Sequence, residues 1–466
     1  MTLFEAARET IEGVQPRAVM GRVQSIRGLT VIVDQLRIPV GSIVRIESRS
    51  QTRAPIRGEV VGFQGDASIV MLYDESGGIS PGDACIGERN SATVPVGTAL
   101  LGRTIDGLGR PIDGREAPTG LSTRPLHPHR MSPLTRTSIN DPIATGIRTV
   151  DGLHTIGRGQ RLGVFAGPGV GKSTLIGSIA RNTSAEVNVI ALVGERGREV
   201  VEFVEETLGP EGLARSVVVV ATGDESPLMR VRACYLAMSV AEHFRDQGMH
   251  VMLTVDSLTR FAHAQRQIGL AVGEQPATKG FTPSVFAMLP RILERAGSLR
   301  GSGSITGIYT VLVEGDELAD PVADAAKGIL DGHLVLSRDL AQKGHYPAID
   351  PLASISRAAD RLVDEHVLAA RRCVLKLLSA LAGAEELVSI GAYAPGSDPD
   401  VDIALALKGE LNGFLQQGSD EAYEFPRTCR VLLEMHGLID SMRAQLAKAT
   451  NNQLQSQVQP PAGGGL

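Results

Sequence analysis

Residues 162–174 read Leu-Gly-Val-Phe-Ala-Gly-Pro-Gly-Val-Gly-Lys-Ser-Thr: an apolar, strand-sized run, Leu162 to Phe165, breaks into a glycine-rich turn and resumes as a helical pattern at Thr174. The nine residues Ala166, Gly167, Pro168, Gly169, Val170, Gly171, Lys172, Ser173 and Thr174 fit the pattern Ala/Gly-x-x-x-x-Gly-Lys-Ser/Thr of a phosphate-binding loop. Glycines let successive backbone N–H groups turn inward around a polyphosphate, and the helix that follows adds a favourable dipole. Lys172 then reaches the β- and γ-phosphates of a nucleotide such as ATP, and the Ser173 hydroxyl is placed to ligate Mg²⁺. Pro168 has no N–H, so the donors of the cradle run from Gly169 to Thr174. The competing reading, an ordinary strand-to-helix turn, is disfavoured by the strand before the loop and the helix after it.

Working outward, strand-sized apolar runs alternate with longer periodic segments from Gln160 to about Ser337. The strands are Leu162–Phe165, Val187–Val193, Val217–Ala221, His250–Val255, Ile305–Val313 and Leu334–Leu336; helical patterns such as Pro227–Arg245 and Ser284–Ala296 lie between them. Such alternation marks an α/β fold with a largely parallel sheet. Before it, Met20 to about Val94 holds short β-rich runs (Val31–Val33, Ile43–Ile46, Glu59–Phe63, Ser68–Leu72) punctuated by Gly and Pro, which predicts a small β-barrel or sandwich. Leu101–Asp141, with DGLGRPIDG and RPLHPHR, reads as an irregular connection, and His127 and His129 within it as linker rather than ligands. After Arg357 the pattern is helical to about Lys448 and then turns polar and Pro/Gly-rich, a disordered tail by composition. Leu3, Phe4, Ala7 and Ile11 form one stripe of a short amphipathic N-terminal helix, which either packs on its own domain or docks on a partner or membrane surface. The expected divisions are 1–18, a docking segment; 19–94, the β-barrel; 95–357, the α/β domain with its leading linker; 358–450, the helical domain; and 451–466, the tail.

The chain has 466 residues, 42% hydrophobic, with 46 Lys+Arg against 52 Asp+Glu and a formal charge of −6. That length holds several domains, and the acidic balance argues against a nucleic-acid-coating protein. Six Tyr, ten Phe and no Trp leave little for base stacking. No apolar run approaches the roughly 18 residues of a membrane span, and the N-terminus, carrying Glu5, Glu9 and Glu12, lacks the apolar core of a signal peptide. Cys85, Cys234, Cys373 and Cys429 are widely spaced, as expected of reduced, buried thiols in a cytoplasmic protein.

Two further segments bear on chemistry. His250-Val-Met-Leu-Thr-Val-Asp256 is an apolar strand ending in a carboxylate, the arrangement that places an Mg²⁺-side acid beside such a loop and favours an ATPase over a passive binder. Glu195 follows the strand Val187–Val193 in Val-Gly-Glu-Arg-Gly-Arg-Glu, at the same expected sheet edge, and qualifies as a water-activating base or a water-mediated metal partner. Arg196 beside it is placed to contact phosphate. An exposed charge pair opening a helix explains both residues equally well on this evidence alone.

Together, the loop, GERGRE, VDSLTRFAHAQRQIGLAVGE, PSVFAMLPRILERAG, VLVEGDELADPVAD and GHYPAIDPLASISR resemble the ATPases of bacterial type III protein export, relatives of the rotary ATP synthase catalytic subunit. The resemblance spans about Met20 to Leu438. It implies a homohexameric ring with a β-barrel, a RecA-like P-loop ATPase core and a helical C-terminal domain, using ATP and Mg²⁺. It implies Glu195 as general base, Asp256 on the metal side, through water in the family's arrangement, and Lys172 and Ser173 on phosphate and metal. Arg357 in Ser-Ile-Ser-Arg matches an arginine finger acting in a neighbouring subunit, and Tyr346 in GHYPAID matches an aromatic against adenine. Arg196 and Arg260 match charged positions near the phosphates. The implied partners are a stator-like regulator and acidic lipid at the N-terminal segment, a central stalk-like component with chaperones and export substrates at the C-terminal domain, and a membrane export gate, with no nucleic acid. The implied location is the cytoplasm, peripheral to the inner membrane face. Pro168 and Thr282 depart from the family's usual residues without touching Lys172, Glu195 or Asp256.

Among rivals, a rotary ATP synthase subunit is opposed by Leu289–Gly297 and by IGAYAPGSDP at 390–399, a Rho-type RNA translocase by the acidic charge, and a non-catalytic ring subunit by the intact Lys172, Glu195 and Asp256. Asp398-Pro-Asp-Val-Asp402 mimics the start of a calcium loop, but Ile403 and Gly409 stand where Gly and Glu are required. ATKGF at 277–281 and DPLASISR at 350–357 point to the flagellar system, with the injectisome as the alternative.

Overall fold

The structure is a computed structural model and describes residues 19–48, 55–74, 77–89, 93–128, 131–313 and 320–458, with side chains as far as Lys448. The expected N-terminal helix, His129 and residues 459–466 of the expected tail lie outside the described residues. The chain divides into two compact units. One comprises Met1–Ile139, Arg158–Pro168 and Ala185–Leu330; the other comprises Asn140–Gly157, Gly169–Ser184 and Asp331–Leu466.

In the first unit, β1 (Met20–Arg27), β2 (Thr30–Asp34), β3 (Ile43–Glu47), β4 (Ile56–Gln64), β5 (Ala67–Leu72) and β6 (Ala84–Arg89) close into an antiparallel barrel of order β1-β2-β5-β4-β3-β6. Alternate β-branched residues fill it: Val23, Val31, Val33, Val44, Ile46, Val60 and Val70 form its core. Closure leaves no strand edge unpaired. Ile32, Ala67 and Ile69 face outward onto Val272, so this side of the barrel is buried as well.

The sheet of the same unit is built from β8 (Arg103–Asp106), β12 (Arg161–Ala166), β13 (Val187–Val193), β14 (Ser216–Ala221), β15 (His250–Asp256) and β17 (Ser304–Leu312). Its strands run parallel in the order β12-β17-β15-β13-β14-β8. Every residue of β13 and β14 is buried, which is why these strands read as unbroken apolar runs rather than alternating ones. The short β16 (Gly297–Ser298) pairs antiparallel with β17, and β7 (Thr93–Val96) with β9 (Ser122–Pro125). β8 corrects the expectation of an irregular connection. Arg-Thr-Ile-Asp has a single large apolar residue, and its burial depends on Asp113 accepting from Arg103 Nε at 2.6 Å. No local pattern announces that pairing.

Among the described residues six α-helices belong to this unit: α3 (Gly197–Glu202), α4 (Gly209–Ala214) after a π-helical turn Phe203–Leu208, α5 (Pro227–Asp246), α6 (Leu258–Ala271), α7 (Pro283–Leu293) and α8 (Pro321–Ile329). Starts are set by side chains. Ser226 caps α5 by accepting from Met229 N–H at 3.3 Å, and Asp320 caps α8 by accepting from Val322 N–H at 2.8 Å.

The second unit holds α1 (Arg148–Leu153), α2 (Lys172–Asn182), the short pair β10 (Pro142–Ile143) and β11 (Ile156–Gly157), the antiparallel pair β18 (Gly332–Leu336) and β19 (Ile349–Ser356), α9 (Arg338–Gln342), α10 (Glu365–Ser389), α11 (Pro399–Ala406), α12 (Lys408–Leu415) and α13 (Phe425–Val458). Its helices meet over Leu153, Val374, Leu377, Ile403, Phe414, Leu432 and Ile439. The acidic run at 398–402 is structural. Asp398 caps α11, accepting from Asp400 N–H at 2.8 Å, while Asp400 receives Lys376 at 2.6 Å and Arg443 at 2.9 Å, tying α10 and α13 to α11. α13 runs on through Val458, past the expected helical limit near Lys448. Cys85, Cys234 and Cys373 are buried, Cys429 is half-buried, and all four are free thiols.

Asp151 in α1 is fully buried. Its carboxylate accepts from Thr145 N–H at 2.9 Å, the Thr145 hydroxyl at 2.7 Å and Gly146 N–H at 3.1 Å. Burial nevertheless outweighs these bonds and pushes its pKa from 3.8 up to about 7. A pKa raised on folding favours the native state below the unfolded pKa, and that contribution is lost as pH rises through the folded pKa. Asp151→Asn should therefore flatten the decline in urea midpoint between about pH 4 and pH 7. An unchanged slope across that window would show that Asp151 is not its source.

Candidate active site

Because β12, β17, β15 and β13 are parallel, their carboxyl ends open at one edge of the sheet. Ala166 pairs with Leu312 and Leu192 with Asp256, so Ala166 to Pro168, Asp256 and Gly194-Glu195 all lie at this edge of the first unit. Asp256 is 2% exposed, and the buried Thr310 hydroxyl of the adjacent strand donates to its Oδ1 at 2.6 Å. That bond holds the carboxylate in one orientation. The Asp256–Ser257 peptide is cis, and Ser257 caps α6 by accepting from Arg260 N–H at 3.2 Å.

Gly194 turns the chain out of β13 at φ 77°, with its N–H on Ala221 O at 2.7 Å. A Cβ here would stand 2.9 Å from the Cβ and Cγ of Arg260, so only glycine permits this approach. Glu195 follows, half-buried, its carbonyl accepting from Gly223 N–H at 3.1 Å. Arg196 is 85% exposed and lies 3.3 Å from Glu199, closing the first turn of α3 as a capping pair. Arg260 is exposed, and it assists burial in lowering the pKa of Arg230 nearby. Basic groups thus surround the position of Glu195.

The rest of the loop lies in the second unit. Gly169 and Gly171 have φ of 77° and 88°, the left-handed values that turn backbone N–H groups to one side. Gly171 is the N-cap of α2, no side chain caps that helix, and its first turn contains no acid. Ser173 and Thr174 are exposed there, with Lys172 half-exposed between them and Gly171. An uncapped helix start behind two left-handed glycines fits a polyphosphate. Tyr346, 46% exposed, packs beside the loop, its ring 3.5 Å from where a Gly171 Cβ would stand. Arg357 is exposed just after β19, with its N–H on Asp331 O at 3.0 Å.

The first unit therefore gathers Ala166–Pro168, Glu195, Arg196 and Asp256, and the second gathers Gly169–Thr174 with Tyr346. Among the described residues no group of three or more His, Cys, Asp and Glu could hold a metal. A serine hydroxyl such as that of Ser173 and an aspartate carboxylate such as that of Asp256 are each hard oxygen donors of the kind Mg²⁺ takes in company with phosphate oxygens. Thr310 and Gly194 were missed by sequence reasoning. The available signal for Thr310 was a hydroxyl in the apolar run Ile305–Val313, since a buried hydroxyl needs an acceptor.

The profile of the ATP synthase alpha/beta family, nucleotide-binding domain, matches residues 146–356, and that of the T3SS EscN ATPase C-terminal domain matches residues 363–434. The chain is 51% identical over 425 residues to the flagellum-specific ATP synthase of Treponema pallidum, covering 91% of this chain and 94% of that one. It is 48% identical to the type 3 secretion system ATPase of Xanthomonas euvesicatoria, covering 88% and 93%. The structure of the assembled ATPase EscN in complex with its central stalk EscO, from the enteropathogenic E. coli type III secretion system, superposes with a TM-score of 0.82 at 40% identity, over 89% of this chain and 99% of that one.

Thr310→Val keeps volume and removes the hydroxyl that orients Asp256. Steady-state nucleotide turnover should fall about tenfold, while Thr310→Ser keeps most of it. Equal rates for the Val and wild-type proteins would remove Thr310 as a positioning residue.

Proposed function

The chain belongs to the ATP synthase alpha/beta family, on the branch of the flagellum-specific ATP synthases and type 3 secretion system ATPases, and from that premise we propose that it powers protein export through the flagellar apparatus. It is an ATP-hydrolysing enzyme of type III export. What carries the reading is an uncapped glycine loop at α2 and, within the other unit, acids at the ends of β13 and β15, in a chain whose residues 363–434 match the export branch. The flagellar choice is supported by ATKGF and DPLASISR, and by the 51% identity to a flagellum-specific relative; the 48% identity to a secretion-system relative keeps the injectisome as the second reading.

In this proposal Lys172 and the N–H groups of the loop bind the β- and γ-phosphates, and Ser173 and Asp256 hold Mg²⁺, Asp256 through water. Glu195 orients and deprotonates the attacking water. Tyr346 packs on the base, and Arg196 lies close to phosphate once Glu199 releases it. Arg357 reaches a neighbouring copy in a homohexamer and stabilises transition-state charge, so turnover needs assembly. The domains act as a barrel at 19–94 that joins neighbours, a motor at 95–357 and a helical reader at 358–450. The N-terminal 1–18 docks a stator-like regulator and acidic lipid. A stalk-like component, chaperones and substrates meet the helical domain, and the product is substrate release and delivery to a membrane gate. No helix among the described residues is long and apolar enough to cross a membrane. We place the protein in the cytoplasm at the inner membrane face.

Glu195→Gln should keep ATP affinity within about twofold while turnover drops by 10² or more, on the scale of general-base loss. Hydrolysis at the wild-type rate would exclude it as the base. Arg357→Ala should regain activity when mixed with a Glu195→Gln protein that still carries Arg357. No recovery at any mixing ratio would count against action in trans. In the native bacterium, deleting the gene should abolish flagellar filaments and leave injectisome secretion intact; the opposite pattern assigns the chain to the injectisome.

A further inference from the structure

Between α12 and α13 the second unit makes a turn at 416–424 that is neither helix nor strand, yet it is tied down along its length. Gln417 is the centre of it. Its side chain is buried; Oε1 accepts from Arg148 N–H at 2.9 Å, and Nε2 donates to Gly146 O at 2.7 Å and to Glu421 O at 2.9 Å. The backbone N–H of Gln417 donates to Tyr346 O at 2.9 Å. One residue thus joins the start of α1, its own turn and the segment that carries Tyr346.

Each bond answers a local need. Arg148 opens α1, where an N–H has no partner inside the helix, and Ile147 before it supplies no side-chain cap. The Gln417 amide takes that place. A glutamine offers one acceptor group and two N–H donors, and here all three are used, so no other side chain of this length satisfies the same set. The turn then reaches α2, because the Ser419 carbonyl accepts from Arg181 Nη2 at 2.6 Å and from the Ser178 hydroxyl at 3.2 Å. Gly146 meets α2 as well, with the Cβ of Asn182 occupying the space that a side chain there would need. The turn is therefore fixed to the helix that begins at the phosphate loop and, through its other bond, to Tyr346. The Tyr346 ring is 46% exposed, so packing holds it on one side only and its backbone tether matters.

We propose that Gln417 is a positioning residue for nucleotide binding: its side-chain amide holds its own N–H on the Tyr346 carbonyl and so fixes where the Tyr346 ring stands beside Gly171 of the phosphate loop. The inference rests on the reading of Tyr346 as the aromatic that packs on the base. Gln417 itself touches no nucleotide in this scheme, and its effect falls on affinity rather than on the chemical step.

The test is steady-state hydrolysis of Mg-ATP by the full chain. Gln417→Met keeps the length of the side chain and removes its three bonds; KM should rise about tenfold with kcat kept within about twofold, the pattern of lost binding rather than lost chemistry. Gln417→Glu keeps the acceptor for Arg148 N–H and supplies the same readout should the Met protein fail to fold, with a KM rise of about threefold or more at unchanged kcat. Tyr346→Ala should also raise KM, and adding Gln417→Met to it should change KM by less than about twofold, because both act through one ring. A fall in kcat matching the rise in KM, or a full Gln417→Met effect on top of Tyr346→Ala, would show a merely structural residue and overturn the proposal. A raised KM in Tyr346→Ala with wild-type KM in both Gln417 variants removes Gln417 alone. An unchanged KM in Tyr346→Ala removes the base-packing reading of Tyr346, and this inference with it.

Discussion

A parallel sheet buried on both faces has no room for charge inside it, and the arrangement of this molecule follows from that constraint. Each Val or Ile in β13 and β14 gains roughly 1.5–3 kcal/mol from burial, whereas an unpaired carboxylate in the same place would cost several times as much. Charge is therefore expelled to the strand ends. Because all these strands point one way, the carboxyl ends of β12, β13 and β15 deliver a loop and two acids to a single edge. Asp256 is the limiting case: at 2% exposure it is tolerable because it is the last residue of its strand and because Thr310 satisfies it at 2.6 Å.

Reaching that edge requires backbone to approach backbone and side chain more closely than a Cβ permits. Gly194 shows this, where Arg260 fills the space a side chain would need; Gly171, in the second unit, is required instead by its φ of 88°. The 53 glycines of the chain are thus a structural clue as well as a compositional one. At Gly194 the missing side chain sets how near Arg260 comes to the backbone. Elsewhere acids do structural work, as Asp398 and Asp400 do in binding α11 to its neighbours, which explains how a run resembling a calcium loop arises without calcium.

Much of this was legible in the sequence, for a physical reason. Continuous apolar runs such as Val187–Val193 have few alternatives to a buried strand, and a glycine turn ending in Lys-Ser between strand and helix has few alternatives to a phosphate cradle. What stayed hidden depends on partners distant in the chain. β8 is a strand because Asp113 neutralises Arg103, ten residues away, and Thr310 matters because its hydroxyl meets Asp256, 54 residues away. His127 read as linker, and only the fold shows its ring packed edge-on against Tyr235. α13 outruns its compositional limit because helix propensity in Asn and Gln is merely modest, not prohibitive.

The charge balance carries the last step. A net charge of −6 describes the whole chain, yet around the end of α5 five arginines meet three acids. Stability alone is a poor explanation for such a cluster. Replacing a buried ion pair by apolar side chains of similar volume is often neutral or stabilising, and here Arg124 Nε and Arg245 Nη1 are each left without a hydrogen-bond acceptor. Arg295 has its full set of partners in Glu242, Ser239 and the Leu126 carbonyl, so this centre is a finished structural pair. Arg245 has only Asp246, and both acids are divided, Asp246 between Arg124 and Arg245 and Glu242 between Arg124 and Arg295. Arg124 thus joins the Glu242 centre to the Asp246 centre, and the cluster is one interlocked set of shared pairs that fixes the end of α5 against the segment before it.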